Sequence, residues 1–154
     1  MDSDISQSVA NFLIKLRKVP VAKNDYRFPN QQYCKLNIPL KSEDGRHNFM
    51  LDINRNKINL SKVTYQNRTR TNIVLVRLDL NGAPHRNPDG NEISGNHIHI
   101  YKEGFNDKIA EELPKEFENI KNNDIKQFLK TFMQYCNIIG IPEMTYKEFM
   151  DNIV

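Results

Sequence analysis

Three of the four histidines in this chain lie close together in the sequence, at His85, His97 and His99. Arg77 and Asp79 precede them, so an arginine, a carboxylate and three imidazoles fall within 23 residues. Imidazole exchanges protons near neutral pH and binds transition metals, while guanidinium holds carboxylates and phosphates in a fixed geometry. This combination favours a functional site over an ordinary polar surface, for which a single histidine would be typical.

The alternation of residue types predicts that two β-strands position these side chains, because successive side chains of a strand point to opposite faces of a sheet. The apolar face consists of Val74, Val76, Leu78 and Leu80 in the first strand and of Ile98 and Ile100 in the second. If these apolar residues share the core, the polar residues of both strands gather on the opposite face of one hairpin. Those polar residues are Arg77, Asp79, His97, His99 and Tyr101.

A loop of 15 residues, 81–95, joins the two predicted strands and contains Asn-Gly, Asp-Gly and two prolines. Loops of this length in a compact domain are uncommon and often carry function. We expect the loop to fold over the polar face of the hairpin. The side chains that it would add are His85, Arg86, Asn87 and Asp89.

One interpretation of the predicted site is a metal-independent ribonuclease of the toxin type. Cleavage of RNA through its 2′-hydroxyl needs a base, an acid and a cation beside the phosphate. The histidines would supply the base and the acid, Arg77 or Arg86 would supply the cation, and no cofactor is then expected. In residue types and architecture, the chain resembles small bacterial ribonuclease toxins. The predicted catalytic residues are Arg77, His85, His97 and His99, supported by Asp79, Asn87, Asp89, Tyr101 and Glu103.

A second interpretation is a divalent metal site, because two histidines in a His-x-His pattern share one strand face. The predicted ligands are His85, His97 and His99, completed by Asp79 or Glu103. The spacing His97-x-His99-x-x-x-Glu103 resembles the first metal motif of the cupins, but residues 104–154 lack the later cupin motif, so a cupin barrel is not expected. Imidazole nitrogens that converge within about 4 Å would favour a metal. A spread of roughly 6–8 Å with Arg77 between them would favour acid–base chemistry.

A third interpretation is a binding surface without catalysis, because a solvent-facing strand ordinarily carries polar residues. The loop 81–95 would then contact a nucleic acid or a protein partner such as an antitoxin or a host defence protein. The net charge of +3 and the isoelectric point of about 8.8 permit a nucleic-acid partner without demanding one. The predicted nucleic-acid contacts are Arg68, Arg70 and Arg86.

The rest of the chain is expected to be a scaffold for this segment. Apolar residues at helical spacing predict helices over residues 4–18, 123–138 and 145–153. Alternation and turn residues predict about five strands, over 33–40, 47–53, 57–66, 72–80 and 96–101. Short turns between consecutive strands predict an antiparallel meander. The expected fold is therefore a single α+β domain spanning residues 1–154, with an N-terminal helix and two C-terminal helices packed on one face of the sheet.

No apolar run approaches the ~20 residues that a membrane-spanning helix requires. The N-terminus carries acidic and polar residues and no hydrophobic signal region. The expected location is therefore the cytoplasm, with no membrane partner. Cys34 and Cys136 are expected to be buried free thiols, because nothing marks the chain as secreted.

The segment also carries a longer pattern of residues. It reads Arg77-Leu78-Asp79-x-Asn81-Gly82-x-x-His85-x-Asn87-Pro88-Asp89-Gly90, followed by Gly95-x-His97-x-His99-x-Tyr101-x-Glu103-Gly104. This block resembles a family of uncharacterised small proteins from Gram-positive bacteria and their mobile elements. The likeness extends to Asp107-Lys108 and Leu113-Pro114, and it departs at Ile109, where members carry an aromatic residue.

The resemblance implies that six residues of the block belong to one site. They are Arg77, Asp79, His85, Asn87, His97 and His99. It implies no activity, because the family has no assigned function. A phage or mobile-element setting would suit a toxin or an inhibitor of host defence.

Overall fold

The computed structural model of the protein describes residues 4–146 and shows an α+β fold built on one large antiparallel sheet. The helices are α1 (Gln7–Lys15) and α2 (Ile125–Tyr135), with a 3₁₀ turn at Lys115–Phe117. The strands are β1 (Lys18–Pro20), β2 (Arg27–Phe28), β3 (Lys35–Ser42), β4 (Asn48–Arg55), β5 (Val63–Thr69), β6 (Val74–Leu80), β7 (His85–Arg86), β8 (Glu92–Ile93), β9 (His97–Ile100), β10 (Ala110–Glu112) and β11 (Thr145–Tyr146). Between residues 4 and 146, no helix is long and apolar enough to cross a membrane.

Seven strands form the main sheet, in the order β1-β3-β4-β5-β6-β9-β10, and neighbouring strands are antiparallel. The predicted large antiparallel sheet is confirmed, but the prediction of about five strands is too low. Strands β1 and β10 have only three residues each, and such short segments carry no readable alternation. Their pairing with β3 and β9, rather than their own sequence pattern, specifies them.

The strand predicted over residues 57–66 is shorter than expected, because its first half forms a turn. The side chain of Asn56 accepts the N–H groups of Ile58 and Asn59 at 2.9 and 2.7 Å, which closes the turn after β4. β5 therefore begins only at Val63. The turn leaves Lys62 immediately before β5, close to the predicted site.

The sheet has one apolar face and one polar face along its central strands, as the alternation predicts. Ile53, Tyr65 and Leu78 are aligned on neighbouring strands and are buried in the core. Helix α2 packs on this face, where the Tyr65 hydroxyl donates to the carbonyl of Ile125 and the Tyr65 ring lies 6.0 Å from that of Phe132. The opposite face is therefore left for the polar residues of β5, β6 and β9.

The helix arrangement differs from the predicted one. Helices α1 and α2 fall within the predicted ranges 4–18 and 123–138, but both are shorter. Thr145–Tyr146, predicted as the start of a third helix, instead pairs in parallel with β2. Backbone hydrogen bonds to β2 replace a helical turn there. The remainder of that predicted helix, residues 147–153, lies outside the described residues.

A buried lysine connects the C-terminal ends of both helices. Lys18 follows α1, is fully buried, and donates from its ammonium to the carbonyls of Ile14, Leu16 and Cys136 at 2.9, 2.9 and 2.8 Å. These carbonyls lie at the C-terminal ends of α1 and α2, where intrahelical donors run out and the helix dipole is negative. All three ammonium donors are thus used. Cys136 is a buried free thiol as expected, whereas the free thiol of Cys34 is only half-buried.

Candidate metal centre

The two strands that carry the predicted site are neighbours in the sheet, which confirms their predicted pairing. Arg77 lies opposite His99, and Asp79 lies opposite His97. All four side chains project from the polar face, because the alternate residues of both strands contribute to the core. The exposed fractions of His97 and His99 are only 4% and 0%, so both imidazoles are shielded from water.

Asp79 lies at the centre of the site, where four groups approach its carboxylate. Its Oδ2 is 3.2 Å from Nε2 of His97, 3.1 Å from Nε2 of His99 and 3.4 Å from Nε of Arg77. Thr64 on β5 donates its hydroxyl to Oδ1 at 3.1 Å. Burial raises the pKa of Asp79, but the hydrogen bond from His99 and the positive charges nearby outweigh burial and lower that pKa to about 2. The carboxylate is therefore ionised at neutral pH and acts as an acceptor only.

Backbone carbonyls determine which nitrogen of each strand histidine carries a proton. Nδ1 of His97 is 3.0 Å from the carbonyl oxygen of Gly95, and Nδ1 of His99 is 2.8 Å from that of Asp107. Because a carbonyl only accepts, both Nδ1 atoms carry the proton. In the neutral form of each imidazole, Nε2 carries a lone pair that faces Asp79, and in the doubly protonated form Nε2 donates to the Asp79 carboxylate. Metal-binding histidines typically show this arrangement, with the second nitrogen held by a carbonyl or a carboxylate.

The loop 81–95 brings the third histidine to the site, as expected. The loop begins at Asn81, whose φ of 58° reverses the chain after β6, and it continues into the small hairpin β7–β8. Nε2 of His85 lies 2.9 Å from the carbonyl oxygen of Lys108, which leaves Nδ1 with the free lone pair. The His85 ring centroid is 5.8 Å and 4.7 Å from those of the two strand histidines. We call the three histidines, together with the Asp79 carboxylate, the histidine cluster.

Asn87 fastens this loop to the edge of the main sheet. Its side-chain amide donates to the carbonyl of Ala110 at 2.9 Å and accepts the N–H of Ala110 at 2.8 Å, so it takes the place of a further strand beside β10. Asp89 shapes the turn between β7 and β8 by accepting from the backbone and side chain of Asn91. Both residues were predicted to support the site, and both do so indirectly, by holding the hairpin that carries His85.

The guanidinium of Arg77 is held by a residue that the sequence analysis did not place in the site. Its Nη1 donates to Oδ2 of Asp107 at 2.7 Å, and its Nη2 is 3.0 Å from Nε2 of His99. Asp107 thus contacts the site twice, through its carboxylate and through the carbonyl that accepts from His99. Its one signal in the sequence is its place in the family-like block, because a residue in a turn follows no strand or helix period.

Tyr101 and Glu103 do not reach the histidine cluster. The Tyr101 hydroxyl accepts the N–H of Ile5 at 3.0 Å and donates to its carbonyl at 2.7 Å. The Glu103 carboxylate accepts the N–H of Gln7 at 2.8 Å. The alternation fails for Tyr101 because β9 ends at Ile100 and the chain leaves the regular strand. Both side chains instead fasten the start of α1.

Tyr101→Phe is expected to lower the free energy of unfolding by about 1–2 kcal/mol. Both backbone groups of Ile5 lose their partner, while the ring remains in the core. Urea unfolding followed by circular dichroism measures the change. The imidazole NMR signals of His97 and His99 should stay in place, because the hydroxyl contacts neither ring. An unchanged unfolding midpoint would show that this contact carries no stability.

The three predicted nucleic-acid contacts lie in different surroundings. Arg68 belongs to an internal network, with its Nε 2.6 Å from Oδ2 of the buried Asp52. Arg70 is exposed just beyond the end of β5. Arg86 alone among the three lines a cavity that His85 also lines. The structure therefore brings only Arg86 to the histidine cluster.

Two open cavities adjoin the histidine cluster, and His85 lines both. The first has a volume of about 250 Å³ and is lined by Asp79 and Lys62 among others. The second has a volume of about 360 Å³ and is lined by Arg86 and Lys108 among others. Each cavity gives a small molecule or a segment of polymer access to the histidines.

The three histidines converge as ligands of one ion would. One ring nitrogen from each of His85, His97 and His99 lies within 4.8 Å of the other two. A metal with bonds of about 2.1 Å holds neighbouring tetrahedral ligands about 3.4 Å apart. The Asp79 Oδ2 atom already lies 3.2 and 3.1 Å from the strand imidazoles. These distances fit the metal interpretation better than the roughly 6–8 Å spread expected of acid–base groups on either side of a phosphate.

Comparison with known proteins identifies a family. No curated protein and no solved structure is significantly similar to the chain. The model of a family of unknown function, DUF6978, matches residues 5–138, which include the seven-stranded sheet and the whole histidine cluster. This match agrees with the likeness to an uncharacterised family that the sequence pattern indicates. The chain belongs to the family of unknown function DUF6978.

Proposed function

We propose that this protein binds one divalent transition-metal ion through His85, His97, His99 and Asp79, and that the ion serves as a hydrolytic centre. Three imidazoles with one carboxylate favour zinc or iron over magnesium and calcium, which prefer oxygen ligands. With a fifth coordination position open to water, a bound ion would polarise the bond to be cleaved and lower the pKa of that water.

The proposal rests on one observation, the approach of two histidine nitrogens to the carboxylate of Asp79. With Nδ1 of each strand histidine protonated, Nε2 of His97 and Nε2 of His99 both face the ionised carboxylate of Asp79 at 3.2 and 3.1 Å. When both imidazoles are neutral, these three acceptors repel one another unless a proton or a metal ion lies among them. A metal ion would remove the repulsion and use every lone pair as a bond.

The surrounding residues hold the ligands in place. The carbonyls of Gly95, Asp107 and Lys108 each accept from one imidazole, which fixes the ring orientation and raises the basicity of the opposite nitrogen. Arg77, oriented by the Asp107 carboxylate, presents a guanidinium beside the cluster. We expect it to hold an anionic oxygen of the substrate, because guanidinium pairs with such groups in a fixed geometry.

Metal analysis of the purified native protein tests the proposal. We expect about one zinc or iron ion per chain, and we expect protein stripped with a chelator to take zinc back with a single-site isotherm. Cobalt in place of zinc should give a visible spectrum that reports nitrogen and oxygen ligands. A native protein that binds none of these ions stoichiometrically would rule the centre out.

Metal-independent cleavage of a phosphodiester is the second candidate function, and one observation favours it. Nη2 of Arg77 lies 3.0 Å from Nε2 of His99, so a fixed cation already stands beside a nitrogen that a metal would use. If His97 takes up a proton at Nε2 while His99 stays neutral, His97 can act as the acid and His99 as the base. Cleavage of a mixed RNA pool by native protein in excess chelator, lost in His97→Ala, would favour this function over the metal centre.

Asn87→Ala is expected to weaken zinc binding about 10-fold, although Asn87 is not a ligand. Its loss frees the hairpin that carries His85 from the edge of β10. Asn91→Ala is the matched control, because the Asn91 side chain hydrogen-bonds within the same hairpin and not to β10, and the variant keeps the backbone N–H that Asp89 accepts. Competition titration with a chromogenic chelator measures both affinities. Equal affinities for zinc in the two variants would contradict the positioning role.

A further inference from the structure

We infer that the substrate of this centre is a single nucleic-acid strand, whose phosphates occupy the two cavities on either side of His85. The inference rests on the proposed function, because the metal would act on the phosphodiester that lies between the two cavities. It names the substrate class for that same site.

The two cavities lie on opposite sides of the histidine cluster. The first is lined by Lys62 and Thr64, at the start of β5, and the second by Asp107 and Lys108, just before β10. Strands β6 and β9, which carry the cluster, lie between β5 and β10 in the sheet. Because His85 lines both cavities, a polymer that fills both must pass over His85.

Each cavity presents positive charge that the protein does not neutralise. Among residues 4–146, no hydrogen bond or ion pair engages the ammonium of Lys62 or that of Lys108. Arg86 beside the second cavity pairs with Glu92 at 3.8 Å and donates to the carbonyl of Gly90, so the unpaired charges are those of the two lysines. The acidic residues of the cavities, Asp79 and Asp107, are already paired with the histidines and the arginine of the site. Both cavities are therefore suited to anionic groups.

The fold keeps Lys62 at the rim of the first cavity. Asn81 donates its side-chain amide to the carbonyl of Ser61, which ties the turn before β5 to the start of the loop. A side chain at Gly82 would begin 3.3 Å from Cε of Lys62, so the glycine leaves room for the lysine to lie across the loop. These contacts hold Lys62 in the lining of the cavity that Asp79 also lines.

An exposed aromatic ring favours a nucleic acid over other anionic polymers. Phe105 is 42% exposed, and its carbonyl accepts the N–H of Lys108 at 3.0 Å. Proteins that bind single strands combine a positive groove along the backbone with aromatic rings on which bases stack. Phe105 offers an exposed ring in the same turn as Lys108, which lines the second cavity, and bases of a single strand can stack on such a ring.

Binding of a fluorescein-labelled single-stranded RNA of about 12 nucleotides to the zinc-loaded full chain tests the inference. The variant Lys62→Met/Lys108→Met should bind the strand at least about 10-fold more weakly. It should also lower the slope of log affinity against log salt by about 1 to 1.5, because two phosphate contacts are lost. Phe105→Ala should weaken binding about 5-fold or more. The control variant Lys23→Met/Lys130→Met removes two exposed lysines elsewhere and should bind as the native protein does.

Zinc content is measured for every variant, so the two proposals fail separately. If the native protein contains no stoichiometric metal, the proposed function is wrong. If the zinc-loaded native protein does not bind the strand, only the inference about the substrate is wrong. Equal strand affinity in the native protein and in Lys62→Met/Lys108→Met overturns the inference as well. The inference is also overturned if poly-glutamate competes as well as RNA does at equal charge concentration. It is overturned as well if Phe105→Ala binds the strand with native affinity.

Discussion

His97→Ala is expected to be purified without metal and to bind zinc at least about 100-fold more weakly than the native protein. The substitution removes one of three converging imidazoles. His99 is then the one strand imidazole that remains beside the Asp79 carboxylate. Competition with a chelator of known affinity, followed by metal analysis, measures the loss. The effect should be large because the position of the remaining ligands is set by the sheet, which cannot close around the missing side chain.

The chain supplies a matched control in its fourth histidine. His47 lies outside the cluster, with its ring 5.9 Å from that of Phe12, so His47→Ala should retain native zinc affinity. His85→Ala is the second test variant, because His85 sits in a half-exposed loop where truncation leaves the core intact. Equal zinc affinity in His97→Ala, His85→Ala and His47→Ala would show that the metal binds elsewhere.

Lys18→Met is expected to lower the free energy of unfolding by about 3 kcal/mol or more. Methionine fills a similar volume, but it leaves the carbonyls of Ile14, Leu16 and Cys136 buried without a donor. It also removes the positive charge from the ends of two helix dipoles. Urea unfolding at neutral pH measures the loss. The exposed Lys130→Met should change stability by less than about 0.5 kcal/mol.

The pH dependence of this difference gives an independent check. Burial lowers the pKa of Lys18 from 10.5 to about 8. Between pH 8 and pH 10.5 the unfolded chain therefore holds a proton that the folded protein has released, so rising pH stabilises the native protein through this residue. Lys18→Met lacks this titration. The stability difference between the native protein and Lys18→Met should widen across the window, and a difference that narrows would contradict a lowered pKa.

The alternation of side chains was enough to place the centre of the site. Arg77 and Asp79 on β6, and His97 and His99 on β9, share the polar face because the apolar residues between them must be buried. Successive side chains of a strand point to opposite faces, so identifying the buried residues also identifies the residues on the other face. The length of the loop 81–95 and its turn residues also indicated that it would fold over this face, and it carries His85 there.

Periodicity did not predict the bonding partners of two residues that the sequence analysis assigned to the site. Tyr101 follows β9 in the sequence, yet its hydroxyl binds Ile5, because the strand ends one residue earlier. Arg68 has the spacing of a surface cation, yet it pairs with Asp52 on the adjacent strand. The partner of Tyr101 is set by the path of the chain after β9, and the partner of Arg68 by the register of β5 against β4. The period of a single strand records neither.

The sequence by itself determined that four polar residues would meet on one sheet face, and that a loop bearing a third histidine would join them. Only the tertiary structure decided what those residues can do together. The carbonyls of Gly95, Asp107 and Lys108 hold one nitrogen of each histidine, and the other nitrogen of His97 and of His99 faces Asp79. Gly95 comes just before β9 and the consecutive Asp107 and Lys108 come just before β10, and backbone groups leave no mark in residue types. The physical reason is that a backbone carbonyl, by accepting from one ring nitrogen of a histidine, fixes the orientation of the imidazole. The direction of the second ring nitrogen is therefore known only once the backbone is folded.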